Sequence, residues 1–122
     1  MDRSNYANVI TAYGDDCIFI NDVQYSTSII VFESMVFQWN LKSFNYICPE
    51  NFKILEFVQP KPEYVIIGTD VKQKKLNKKT NDYLEQVLPE TKIDTIDFFT
   101  AISTFNSCMT DNIKAVAFLS LH

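Results

Sequence analysis

Chemistry needs titratable or nucleophilic side chains brought together, and this chain offers few useful combinations. Its single histidine is His122, the last residue. A terminal side chain is poorly held, so neither a Ser-His-Asp nor a Cys-His nucleophilic arrangement is expected. Cys17, Cys48 and Cys108 are odd in number and far apart, with no C-x-x-C pair. They predict buried free thiols in a reducing compartment rather than a disulfide framework or a zinc site. Asp15 and Asp16 are adjacent carboxylates, but beside Gly14 they fit turn formation better than acid–base catalysis. No catalytic residue, metal or cofactor is expected from these groups.

Residues that could bind something fall in two places. The first follows Pro62-Glu63-Tyr64-Val65-Ile66-Ile67-Gly68-Thr69-Asp70, a bounded apolar run that predicts a strand buried on both faces. The carboxyl end of such a strand is where the mouth of an α/β domain usually lies, which makes Gly68, Thr69 and Asp70 a candidate cleft. A lone Gly-Thr lacks the spaced glycines of a phosphate loop, and Asp70 repels phosphate, so the local reading is a structural turn.

The second place is a lysine pole. Lys72, Lys74, Lys75, Lys78 and Lys79 put +5 into a window without an acid, in a chain of net charge -4, so the remainder carries -9. Such a pole can meet an acidic protein partner or the headgroups of a membrane surface. The acidic whole and the absence of an aromatic in the window speak against nucleic acid.

The elements that must position these residues follow from periodicity. At 122 residues the chain is expected to be one α/β domain, with residues 1–8 as a flexible lead. Val9 to Tyr13, Cys17 to Ile20 and Val23 to Tyr25 predict a β meander turning at Gly14-Asp15-Asp16 and Asn21-Asp22, followed by strands at Ser28 to Phe32 and Met35 to Phe37. Trp39 is expected in the core. Pro49 opens a short helix with a Phe52 and Leu55 stripe, and Pro60 and Pro62 form a rigid connector. Leu76, Tyr83, Leu84 and Val87 predict a helix whose start could fall as late as Thr80. Thr91 to Ile96 is the next strand, and Asp97 is placed to cap a helix striped by Phe98, Ile102, Phe105 and Met109. Asp111-Asn112 turns the chain into a last strand, Ile113 to Leu121. No apolar run reaches the roughly 18 residues of a membrane span, and no signal segment opens the chain, so a cytoplasmic protein is expected.

Tyr13-Gly14, Asn21-Asp22, Tyr25, Ser28-Ile29-Ile30-Val31, Trp39, Glu63 to Thr69, Thr104-Phe105-Asn106 and Ala115-Val116-Ala117-Phe118-Leu119 occur in an order that resembles a family of small α/β domains. That family was long catalogued as of unknown function, and its mitochondrial members include the third-numbered assembly factor of respiratory complex I. The resemblance implies a three-layer domain with a mixed central sheet, N-terminal β hairpins and a C-terminal βαβαβ half. It also implies a non-catalytic role in building the NADH:ubiquinone oxidoreductase, with an assembly factor or subunit as partner. Asp70, Phe98 and Ile113 stand where the family pattern has glycine, threonine and arginine, which removes a charge and adds an acid at the family's cleft. With no transit segment ahead of Val9, a bacterial-type member is expected.

Thr104 and Asn106 stand in the family motif, but two positions apart on a helix they fall on opposite flanks of Phe105. Asn106 is therefore expected to bond a neighbouring loop. The functional expectation is an interaction or assembly protein binding through its lysine pole. The alternative is a small-molecule or anion-binding enzyme using the cleft at Gly68 and Asp70, with Lys72 or Asp97 as titratable groups.

Overall fold

The computed structural model describes residues 7–69 and 75–121. Three antiparallel strands open the chain: β1 Ile10–Tyr13, β2 Ile18–Ile20 and β3 Val23–Tyr25 form a sheet in that order. Asn21 and Asp22 both take positive φ, 51° and 67°, the twist that a two-residue hairpin needs. A second sheet holds β4 Ile29–Val31, β5 Val36–Gln38, β6 Tyr64–Thr69, β7 Lys92–Asp97 and β8 Ala115–Leu119, in the order β5-β4-β8-β6-β7. β6 pairs in parallel with β7 and β8, whereas β4 runs antiparallel to β5 and β8. The sheet is mixed, as expected. β6 is an interior strand, but β8 takes the middle of the sheet.

Alternation along the strands divides the core into two layers. Ile29, Val31, Ile66, Ala115, Ala117 and Leu119 point to one face, where they meet the meander and the helix α2, Phe98–Thr110. Ile30, Val65, Ile67, Val116 and Phe118 point to the other, against Trp39, the helix α1, Lys78–Val87, and a 3-10 helix, Pro49–Glu56. The period of two in β4, β6 and β8 is what makes three layers possible.

The short helix expected after Pro49 is a 3-10 helix, and its stripe fits that period: Phe52 and Leu55, three apart, are both fully buried. Trp39 is buried as expected, its Nε1 donating to the Asn51 carbonyl at 2.8 Å. α1 begins at Lys78 rather than Thr80, because the Asn77 side chain accepts from the Thr80 amide at 2.8 Å and supplies the cap. α2 ends with Asn112 at φ 58°, where the Asn112 amide donates to Met109 and the Ile113 amide to Cys108, a Schellman closure.

Of the stretch expected to be a flexible lead, residues 1–6 lie outside the described residues, and Ala7 and Asn8 are buried. Asn8 ties two turns together: its Nδ2 donates to the Phe32 carbonyl at 2.9 Å, and its Oδ1 accepts from Asn21 Nδ2 at 2.9 Å.

Candidate functional site

At the carboxyl ends of β6 and β7, register sets Gly68 beside Ile96 and Thr69 beside Asp97. Gly68 does not open onto a cleft on its α2 side. A Cβ built there would lie 2.9 Å from the Ala101 Cβ and 3.0 Å from Leu119 Cδ2, so its missing side chain is what lets α2 approach the sheet. Thr69 is fully buried. Asp97 caps α2 as expected, accepting from the Thr100 amide at 3.0 Å and the Thr100 hydroxyl at 2.6 Å. The Thr100 hydroxyl, with backbone amides beside it, holds the Asp97 carboxyl below the ordinary carboxylate range. Asp70 lies outside the described residues.

Asn106 does not join this group. It lies nine residues along α2 from Asp97, about 13 Å at the helical rise, and its amide is engaged by the Ile10 backbone of β1. It bonds a strand where a loop was expected. The candidate cleft residues therefore divide into a packed strand end with a helix cap and a separate clamp.

Phe98 and Ile113, the positions that the resemblance singles out, are both in the apolar layer under the meander. The Phe98 ring meets Tyr13 edge-on at 6.0 Å and Phe99 at 5.9 Å, filling the space between β1 and the start of α2 with carbon.

Of the lysine pole, Lys72 and Lys74 lie outside the described residues, and Lys75, Lys78 and Lys79 are exposed. Lys78 is tied to Asp82 at 2.8 Å, one helical turn on, which raises its pKa by hydrogen bonding to that carboxylate. The pair is largely solvated and adds little stability.

A further polar group converges where β6 meets β7. Tyr64 Oη donates to Asp94 at 2.5 Å, and Lys92 sits 4.8 Å from the Tyr64 ring centre and 3.7 Å from the same carboxylate. Burial, then the Asp94 bond, pushes the Tyr64 phenol up, so it stays a neutral donor at physiological pH. Burial also raises the Cys108 thiol; Cys108 is buried as expected, whereas Cys17 and Cys48 are half-buried. Among the described residues no group of three or more His, Cys, Asp or Glu is placed to hold a metal ion, and no helix is long and apolar enough to cross a membrane.

Sequence reasoning missed a hollow on the surface. It lies beside β5, has a volume of about 430 Å³ and is bordered by Met35, Phe37, Ile54, Phe57 and Lys114. Phe57 is 77% exposed, Met35 54% and Phe37 37%. Phe37 and Ile54 also border a second hollow of about 230 Å³, so the two adjoin at these side chains between β5 and the 3-10 helix and together make the trough referred to from here on. The connector bordering one end of it passes through a cis Gln59–Pro60 bond and is held by Lys61, whose ammonium donates to the Leu55 and Glu56 carbonyls at 2.8 and 3.1 Å. The signal available in sequence was the position of Phe57. It falls two residues past Leu55, off the line of Phe52 and Leu55, and so had no buried side to take.

Among solved structures, a protein from Bordetella parapertussis is similar at 24% identity, with a TM-score of 0.81, over 93% of this chain and 95% of that one. A Mth938-like domain from Bordetella pertussis is similar at 23% identity and a TM-score of 0.79, covering 98% and 89%. A structure described as an outer membrane protein from Bartonella henselae is similar at 22% identity and a TM-score of 0.83, covering 93% and 94%. At these identities the likeness concerns the fold. No curated protein matches the chain. A family model does match, over residues 10–120, and this chain belongs to that family, described as a protein of unknown function (DUF498/DUF598).

Proposed function

We propose that this chain is a non-catalytic interaction protein that assists the building of a larger assembly and, from the resemblance set out above, that the assembly is the respiratory NADH:ubiquinone oxidoreductase. The observation that supports this reading is the trough beside β5, where Met35, Phe37 and Phe57 leave apolar surface in water around the larger hollow. Grouped exposed apolar side chains favour a docked partner over solvent. Substrate chemistry needs polar groups converging on a hollow, and the described groups at the β6 and β7 ends are engaged in a cap and a packed strand end instead. The lysine pole, with Lys75 and Lys79 exposed, is the rival surface for the same partner, and the test below separates the two.

The test is a strain of the native host lacking this chain, complemented with wild type, with Met35→Glu/Phe57→Glu, or with Lys75→Glu/Lys79→Glu. Oxidoreductase amount is read on native gels. Loss in the deletion strain, restored by wild type and by the lysine variant but not by the trough variant, is the expected result. Unchanged oxidoreductase in the deletion strain overturns the client, and rescue by the trough variant overturns the surface.

A further inference from the structure

The five-stranded sheet ends at β5, and the ladder shows which backbone groups are left over. The Phe32 amide donates to the Met35 carbonyl at 2.8 Å and the Trp39 amide donates to the Ser28 carbonyl at 2.9 Å, with Ile30 opposite Phe37 between them. Met35, Phe37 and Trp39 therefore turn their backbone groups toward β4, and Val36 and Gln38 turn theirs outward. β5, Val36-Phe37-Gln38, carries no proline, lysine or bulge to blunt this edge.

The trough follows the same edge. Its hollows share Phe37 and Ile54 in their lining, and a third, of about 490 Å³, shares Gln38, Trp39 and Asn40 with the second and is bordered by Lys42. Lys114 borders one end and Lys42 the other, and among the described residues neither ammonium has an ion-pair partner. Glu33 also borders the Lys114 end, and Glu50 in the middle is engaged by Lys53 at 3.9 Å. An open backbone edge, hollows beside it that are apolar around Met35, Phe37, Ile54 and Phe57 and polar toward Asn40 and Lys42, and an unpaired cation at each end fit one kind of occupant.

We infer that this edge binds an extended segment of a partner protein, which adds a strand to β5 through Val36 and Gln38, sets alternate apolar side chains into the trough and carries acidic residues toward Lys114 and Lys42. The inference rests on the interaction reading above and names the chemistry of the partner. Strand addition takes its affinity from main-chain hydrogen bonds and its specificity from alternate side chains, which is the division of labour this edge and trough provide. The lysines add selection for acid at the ends, against a chain whose overall charge of -4 repels acidic partners elsewhere.

The test uses purified full-length protein and random dodecapeptides displayed on phage. Selected peptides are expected to alternate apolar residues and to carry Asp or Glu near their ends. The leading peptide, synthesised with a fluorophore, is titrated by anisotropy against wild type and against Phe37→Ser, Gln38→Pro and Lys114→Glu, each first checked for a cooperative melt. An outward edge position tolerates proline, so Gln38→Pro removes one outward donor while leaving the β4 pairing. Binding is expected to weaken at least about tenfold in each variant, to be lost when the peptide is N-methylated at alternate amides, and to be unaffected by Lys75→Glu/Lys79→Glu. A peptide with lysine in place of its terminal acid should recover binding to Lys114→Glu.

Selection without enrichment, binding that survives all three variants, or indifference to N-methylation overturns the inference. A concentration-dependent dimer in sedimentation, broken by Gln38→Pro, assigns the edge to a second copy and also overturns it. If these experiments fail while the trough variant still loses the oxidoreductase in the host, the interaction reading stands and the strand-addition inference alone falls.

Discussion

Asn106 and Ile10 are joined by two hydrogen bonds across 96 residues of sequence: the Asn106 Oδ1 accepts from the Ile10 amide at 2.9 Å, and its Nδ2 donates to the Ile10 carbonyl at 3.0 Å. A carboxamide matches a backbone peptide donor for acceptor, so Asn106 acts toward β1 as one more residue of a neighbouring strand. It fastens the meander to α2. Asn106→Ala leaves both groups of Ile10 without their partner and is expected to cost about 2 kcal/mol. Asn106→Asp, which turns an acceptor toward the Ile10 carbonyl, should cost at least as much. Urea unfolding checks both, with a lower midpoint at unchanged slope as the expected result.

Gly68 and Ala101 set the distance between β6 and α2, since a Cβ on Gly68 would lie 2.9 Å from that of Ala101. Gly68→Ala is expected to destabilise by about 1–3 kcal/mol through overpacking. Ala101→Gly alone should cost about 1 kcal/mol of helix propensity. Combining them relieves the clash, so the double variant should be more stable than the two single effects added together. Additive losses would mean that the contact with Leu119 Cδ2, at 3.0 Å, dominates instead.

Asp97 makes acid stability depend on one helix cap. Its carboxyl is held below the ordinary range by the Thr100 hydroxyl and neighbouring amides, so the folded state binds that proton less readily than the unfolded chain. The contribution is fully present above the unfolded value of about 4 and is lost as pH falls through the depressed folded value. Asp97→Asn keeps an oxygen for the Thr100 amide but has no carboxyl to titrate. It should retain most of the stability at neutral pH and flatten the acid limb of a urea-midpoint profile.

Lys79 occupies the first turn of α1, where the helix dipole disfavours a cation. Lys79→Glu is expected to raise stability by about 0.5 kcal/mol at low salt, with the gain shrinking as salt screens it. Thermal melts in low and high salt check the sign. A loss of stability would mean that the lysine pole has a folding role beyond a solvated surface.

Local chemistry is legible wherever the residue and its partner are close in sequence. Asp97 caps the helix that begins one residue later, Asn112 takes the left-handed turn, and Asn21-Asp22 makes the hairpin, because each depends on backbone geometry within a few residues. The start of α1 falls earlier than its charges suggest: lysines in a first turn argue for a later beginning, but the Asn77 cap decides the matter. Residues 7 and 8 read as part of a lead because Asn8 is short and polar. Its partners, Phe32 and Asn21, are brought to it by the second sheet and a hairpin.

What the sequence determined by itself was that β6 and β8 are apolar on both faces, together with the stripe of α2 and the turns between these elements, since which side chains share a face at periods of two and 3.6 follows from local geometry; the three layers were implied by the family resemblance. Tertiary structure alone decided what lies against each face: that α2 closes over Gly68, that Asn106 reaches Ile10, and that β5 ends a sheet beside a trough. Those relationships join residues tens of positions apart, and no local period encodes which strand ends a sheet or which glycine faces a helix. Phe57 marks the difference. In the sequence it is one more aromatic in an apolar-rich chain; in the fold it is left in water, capping the 3-10 helix off the line of the buried Phe52 and Leu55.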